Sequence, residues 1–264
     1  MSLRPLALAL ALALAGCQPA ADAPADTATV QVQPAERAAQ LQKLYEDFWE
    51  ASLQLNPLQA TFVGDSRYND QMPDFFSADF RERQKAFNRE WLDKARAIGS
   101  EGLQGQDLLS YEMFVRELEL ELEGERFPDW MQPLNQFYNV TGLLAQLGSG
   151  TSAQPFKTVG DYEAWLARAG QVPTLMASMQ ANMREGMAAG VVQPKVLMLK
   201  VVPQLDALIK DSPEETLFWR PIAEMPADFS AEDKARLTEA YRALIADQLM
   251  PAYRELRRFV ADEY

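Results

Sequence analysis

The sequence predicts an all-α fold, a multi-helix array that follows an export signal and a disordered tether. Three observations carry this. Apolar residues recur at three-and-four spacing along most of the chain. Helix starts are marked by Ser or Thr caps with an acidic residue three positions on, or by proline. No run of alternating strands and no internal repeat is present.

The N-terminal segment is read as an address. Arg4 precedes the apolar run Leu6 to Ala15, which leads into Leu14-Ala15-Gly16-Cys17. A positive start, a short apolar stretch and small residues before a cut form a secretory signal over residues 1–16. The stretch is too short to span a bilayer, which needs about 20 apolar residues. Residues 17–34 then form a tether, QPAADAPADTATVQVQP after Cys17, with no large side chain to bury.

From residue 35 to 264 the pattern is helical. Leu41, Leu44, Tyr45, Phe48, Trp49, Ser52 and Leu55 share one face, and Asn56-Pro57 ends that run. Residues 64–76, dense in Asp, Asn and Gly, read as a loop. Ser77 caps a second helix with Phe80, Phe87, Trp91, Ala95 and Ile98 inward, stopping near Gly99. A third starts near Asp107 and carries Leu108, Tyr111, Val115, Leu118 and Leu122. Its ELELELEGE end alternates like a strand but continues a helical pattern, so it is assigned to the helix. Residues 128–150 are irregular apart from a short helix around Leu143 to Leu147. Thr158 and Asp161 have capping-box spacing ahead of Tyr162 to Ala169. Pro173 opens a helix to about Ala189. Pro194 opens another through Ile209, which Pro203 should kink. Ser230 and Asp233 cap a last long helix with Leu237, Tyr241, Leu244, Leu249, Leu256 and Phe259 inward, bent at Pro251.

Composition narrows the chemistry. The 264 residues carry a formal net charge of -13, which argues against nucleic acid as a partner. The chain has no histidine, and its single cysteine is Cys17. Ser-His-Asp and Cys-His nucleophiles are thereby excluded, as is any zinc site that needs imidazole or several thiolates. No phosphate-binding glycine loop is present. The stripe Met176, Met179, Met183 and Met187 could offer thioethers to Cu(I), but methionine at helical spacing is expected to fill core. Asp65, Asn69, Asp70 and Asp74 could offer oxygens to calcium, but they lack EF-hand spacing and are expected to build a turn. The carboxylates from Glu117 to Glu125 are expected to be a solvated helix face, and the aromatic residues core. Catalytic and metal-binding residues are thus expected to be absent from this chain, and no cofactor is expected in it.

Two segments are expected to be buried connectors with satisfied amides, the alternative being that they border a cleft. One is Pro133 to Phe137, with Asn135 and Gln136 among large apolar side chains. The other is Gly186 to Lys195, a turn with Gly190 and Gln193 between two helices.

Leu-Ala-Gly before Cys17 resembles the lipobox of bacterial lipoproteins. That resemblance implies a lipid on the Cys17 thiol, cleavage in front of it and a membrane partner, in the cell envelope facing the periplasm. The ordered segments QLNPLQATFVGDSRYND, PLNQF, PFKTVGDYEAWLARA, AAGVVQPKVLMLKVVPQL, SPEETLFWRPI and LMPAYRELRRFVADEY resemble the N-terminal half of bacterial proteins of the domain of unknown function 885 family. The likeness spans about Leu41 to Tyr264. It implies a mostly helical, zinc-peptidase-like protein whose later half carries a His-Glu motif and zinc, with a peptide substrate. Nothing in this chain matches that motif, so no ligand is carried over. The likeness also implies a longer parent. In that case Tyr241, Leu249, Leu256 and Phe259 are expected to face missing partners in part. The alternative is a stand-alone lipoprotein that binds peptides or partner helices without catalysis.

Overall fold

The computed structural model describes residues 33–264; the signal, Cys17 and the tether up to residue 32 lie outside the described residues, and Pro34, assigned to the tether, begins the first helix. The α-helices are α1 (Pro34–Leu55), α2 (Pro57–Phe62), α3 (Ala78–Ile98), α4 (Gly105–Gly124), α5 (Val140–Gly148) and α6 (Val159–Ala169). They continue with α7 (Val172–Ala189), α8 (Lys195–Leu208), α9 (Arg220–Ala223), α10 (Ala231–Leu244) and α11 (Met250–Asp262). No strand occurs among the described residues, so the all-α expectation holds.

The predicted start signals are realised as hydrogen bonds. The Ser77 hydroxyl accepts from the Phe80 amide, and that of Ser230 from Asp233. Thr158 and Asp161 form the reciprocal capping box. Each satisfies amides that a helix start would otherwise leave bare. The third helix begins at Gly105, slightly earlier than predicted, and runs through the alternating Glu-Leu stretch.

Helices α1, α3 and α4 pack around Leu44, Trp91, Leu92, Ala95 and Leu118. Phe48 sits at the centre of their aromatic cluster, 4.9 Å from Phe114 and 5.5 Å from Trp91 between ring centroids, both edge-on. Trp49, expected on the inner face, is exposed. Successive residues on a helix are 100° apart, and Phe48 and Ser52 hold the inward direction. Arg37 ties α1 to the end of α3, donating to the Ile98 carbonyl at 2.9 Å.

The larger core is built by α5 to α11. Met176, Met179 and Met183 are fully buried in it, and Met187 is half-exposed at the helix end. Leu237, Tyr241, Leu244, Leu249, Leu256 and Phe259 are all buried too, as the predicted face requires. The expectation that Tyr241, Leu249, Leu256 and Phe259 face missing partners is therefore corrected: α6, α7 and α8 cover them. Ahead of Pro251 lies a π-helical turn over Ile245–Leu249. One residue is inserted there, and the apolar face steps by five positions from Leu244 to Leu249. A proline removes one backbone donor and crowds the turn before it, and the wider π turn relieves that crowding. Three buried phenols find backbone acceptors: Tyr162 on Pro221, Tyr241 on Tyr162 and Tyr253 on Thr141. Burial pushes the Tyr162 phenol up to about 12 and raises the other two further.

The 57–76 segment is joined to the large core by a buried cation. Arg168 of α6 is wholly buried, and its guanidinium donates to the carbonyls of Gln71, Tyr68 and Pro57, the Thr61 hydroxyl and the Gln154 side chain. No carboxylate is among these partners. Burial pushes its pKa down to about 10, with the negative charge of Asp70 acting the other way. Further along, Ser178 donates to Asp74 at 2.5 Å, and Asn182 to the Phe76 carbonyl at 2.8 Å.

Candidate functional site

The Gly186–Lys195 segment packs against residues 129–132, just ahead of the Pro133–Phe137 segment. Residues 129–131 make a short 3-10 turn against α7, where Gly186 leaves room for them. A Cβ on Gly186 would lie 2.5 Å from the Val191 carbonyl oxygen and 3.0 Å from that of Met131. Glycine is thus required by close approach of two backbones, not by its dihedral angles. Gly190 is required for the opposite reason. It ends α7 in the left-handed region at φ 74°, with open space around it. Its role is the turn.

That turn places Gln193 between two partners. Its backbone amide donates to the Tyr264 hydroxyl at 2.9 Å, and its side chain donates to the Gln132 carbonyl at 3.4 Å. Tyr264 is held in turn by its ring contact with Phe259. Arg258 and Arg184 both pair with the neighbouring Glu263 and hold its carboxyl below the usual range.

Asn135 is engaged on its own loop. Its side-chain oxygen accepts from the Phe137 and Tyr138 amides at 2.8 and 2.9 Å, closing a tight loop. The carbonyl of Gln136 accepts from Gln204 of α8, and Asn139 donates to the same Gln204 side chain at 3.0 Å. The Gln136 side-chain oxygen is buried with no partner among the described residues.

This bed of hydrogen bonds presents apolar side chains outward. Phe137 is 83% exposed and Tyr138 78%, beside a recess of about 360 Å³ lined also by Pro133, Val140 and Leu143. On α8, the helix to which the loop is stapled, Val196 and Leu199 are each 62% exposed. The expectation that the aromatic residues are core fails at these positions. Apolar periodicity locates the inner face of a helix but does not reveal large apolar residues placed on loops. An exposed group of this kind marks a surface for interaction.

The other candidates resolve as structure. Asp65 pairs with Arg67, whose guanidinium also reaches Glu50. Asn69 accepts from the Thr61 hydroxyl. Among the described residues, no group of three or more His, Cys, Asp or Glu side chains is placed to hold a metal ion. The described residues therefore do not fit zinc.

The described residues form a helical array with exposed apolar side chains on the 137–138 loop and on α8. The chain belongs to the family described as "Bacterial protein of unknown function (DUF885)", whose model matches residues 57–264. It is also similar in fold to a crystal structure described as "the putative lipoprotein from Colwellia psychrerythraea", with a TM-score of 0.67 and 20% identity. That match covers 85% of this chain and 41% of the other, so the chain spans about two fifths of the length of that protein. No curated protein matches the chain.

Proposed function

We propose that this chain is the non-catalytic helical wall of a lipid-anchored, periplasm-facing cell-envelope protein. The Phe137–Tyr138 loop and the outer face of α8 then receive the remaining part of a longer polypeptide. Any zinc-peptidase chemistry acting on a peptide substrate resides in that part, with ligands from outside residues 1–264. The observation that carries this reading is the exposure of Phe137 and Tyr138 on a loop hydrogen-bonded through Asn135, Asn139 and Gln204 to α8, which itself exposes Val196 and Leu199. A large apolar group on a fixed scaffold is prepared for a partner at no ordering cost. The greater length of the similar solved protein supports a covering segment from the same polypeptide.

A second reading is a stand-alone scaffold that binds peptides or partner helices on this face. One observation favours it: the apolar side of α11 is already covered within the chain.

A photo-crosslinking amino acid at position 199 of the native protein, activated in its own cells, tests the assignment. Crosslinking to a segment of the same polypeptide outside residues 1–264 is the expected result. Crosslinking to a separate protein establishes the scaffold reading instead, and absence of any crosslink overturns both.

A further inference from the structure

A second surface lies on the smaller core. Between α3, the end of α4 and residues 127–130 runs a groove of about 530 Å³, within the range of peptide and small-ligand sites. Its apolar lining includes Phe80, Leu120 and Phe127, the last two 44% and 57% exposed. The cations in its wall are already engaged. Arg81 donates to the Phe76 carbonyl at 2.8 Å and stacks 4.2 Å from the Trp130 ring centroid, while Lys85 pairs with Glu125 at 3.1 Å. The carboxylates of Glu82, Glu121 and Asp129 line the same groove and make no ion pair among the described residues. Asn88, 4% exposed, borders it; its oxygen accepts from Gln84, and its amide NH₂ makes no hydrogen bond among the described residues.

We propose that this groove binds a cationic amphipathic peptide segment. Apolar side chains of the peptide would pack on Phe80, Leu120 and Phe127, and Lys or Arg heads would reach Glu121 and Asp129. The Asn88 amide is available to a backbone carbonyl of the peptide. The four carboxylates Glu82, Glu121, Glu125 and Asp129 outnumber the two cations Arg81 and Lys85 in the lining, and this negative excess sets the sign of the ligand, because a like charge brought to this rim would be repelled. The groove is separate from the α8 face, and its argument does not depend on what covers that face.

The test uses the full chain in nonionic detergent and two short fluorescein-labelled peptides, one alternating Lys with Phe and its twin alternating Glu with Phe. Fluorescence anisotropy should show saturable binding of the basic peptide and none of the acidic one. Glu121→Lys combined with Asp129→Lys should weaken the basic peptide about tenfold or more. Phe127→Ser should weaken it at unchanged charge. Glu112→Lys with Glu117→Lys, which changes net charge equally but lies outside the groove, should leave binding as it was. All these positions are exposed, and unfolding curves of the variants confirm that the fold is kept. Equal binding of both peptides, or equal losses from the two charge-reversed pairs, would overturn the proposal by reducing it to attraction toward an acidic chain. No saturable binding would overturn it outright.

Discussion

Arg168 and Thr61 are joined by a 2.8 Å hydrogen bond in the interior, guanidinium to hydroxyl, across 107 positions of sequence. Thr61 is itself fixed, with its hydroxyl 2.7 Å from the Asn69 side-chain oxygen. Through this contact α6 holds α2 and the turn that follows it. A lone cation in such a place is stable only because each of its donors has an oxygen to meet.

Replacing Arg168 with Met should therefore destabilise the fold by at least about 3 kcal/mol, since several buried carbonyls and the Gln154 oxygen lose their donor. Arg168→Lys should recover little of this, because one ammonium cannot span acceptors arranged for a planar fork. Denaturant unfolding measures both. A loss near zero would mean the cluster is wet and dispensable.

Gly186→Ala should cost about 1–3 kcal/mol, because the obstacles to a Cβ are two backbone oxygens that cannot swing aside. Gly190→Ala should cost about 1–2 kcal/mol for a different reason, its left-handed backbone. A combined variant distinguishes the two: if the losses add, close approach and turn geometry act separately.

Phe137→Ser and Leu199→Ser should leave stability within about 0.5 kcal/mol, because both side chains meet solvent. The same changes should reduce binding of an apolar dye to the isolated chain. Marked destabilisation would show that these side chains are packed and that the face is not free.

The Glu263 carboxyl is held below its ordinary value by Arg258 first and Arg184 second. The sign follows from linkage. A carboxylate with a lowered folded pKa anchors the chain end at pH above the unfolded value, and the anchor is lost as pH falls through the folded one. Hydrogen exchange at the Gln193 amide, corrected for intrinsic rate, should therefore quicken on acidification. Glu263→Gln should quicken it already at neutral pH; unchanged protection in that variant would show that Tyr264 is held by its ring contact alone.

Cys17→Ser should move the protein from the membrane to the soluble fraction, as expected of a lipidated cysteine. Retention in the membrane would point to an anchor other than this thiol.

Much of the helical frame was legible in the sequence because caps and apolar spacing are local signals. Ser77, Thr158 and Ser230 marked true starts, and the Leu237-to-Phe259 face proved to be the buried one. Helix α2 was not legible: six residues are too few to show a period, and Asn56-Pro57 reads as a stop although proline also begins helices. Arg168 escaped for a related reason, since an arginine in a helix reads as solvent-facing until a distant loop supplies its acceptors. Of the candidate residues, Gly190 and Gln193 shape the turn that packs beside residues 131–132, while Asn135 acts on its own loop. The outward Phe137 and Tyr138 depended on a loop conformation that no periodicity encodes.

The central claim is that this chain is the wall of a longer anchored protein. The mass of the native polypeptide in its own cells, detected with an antibody against this chain, tests it most directly. A band well above the mass of the 264 residues is predicted, whereas a single band at that mass would contradict the account and leave a stand-alone binding lipoprotein in its place.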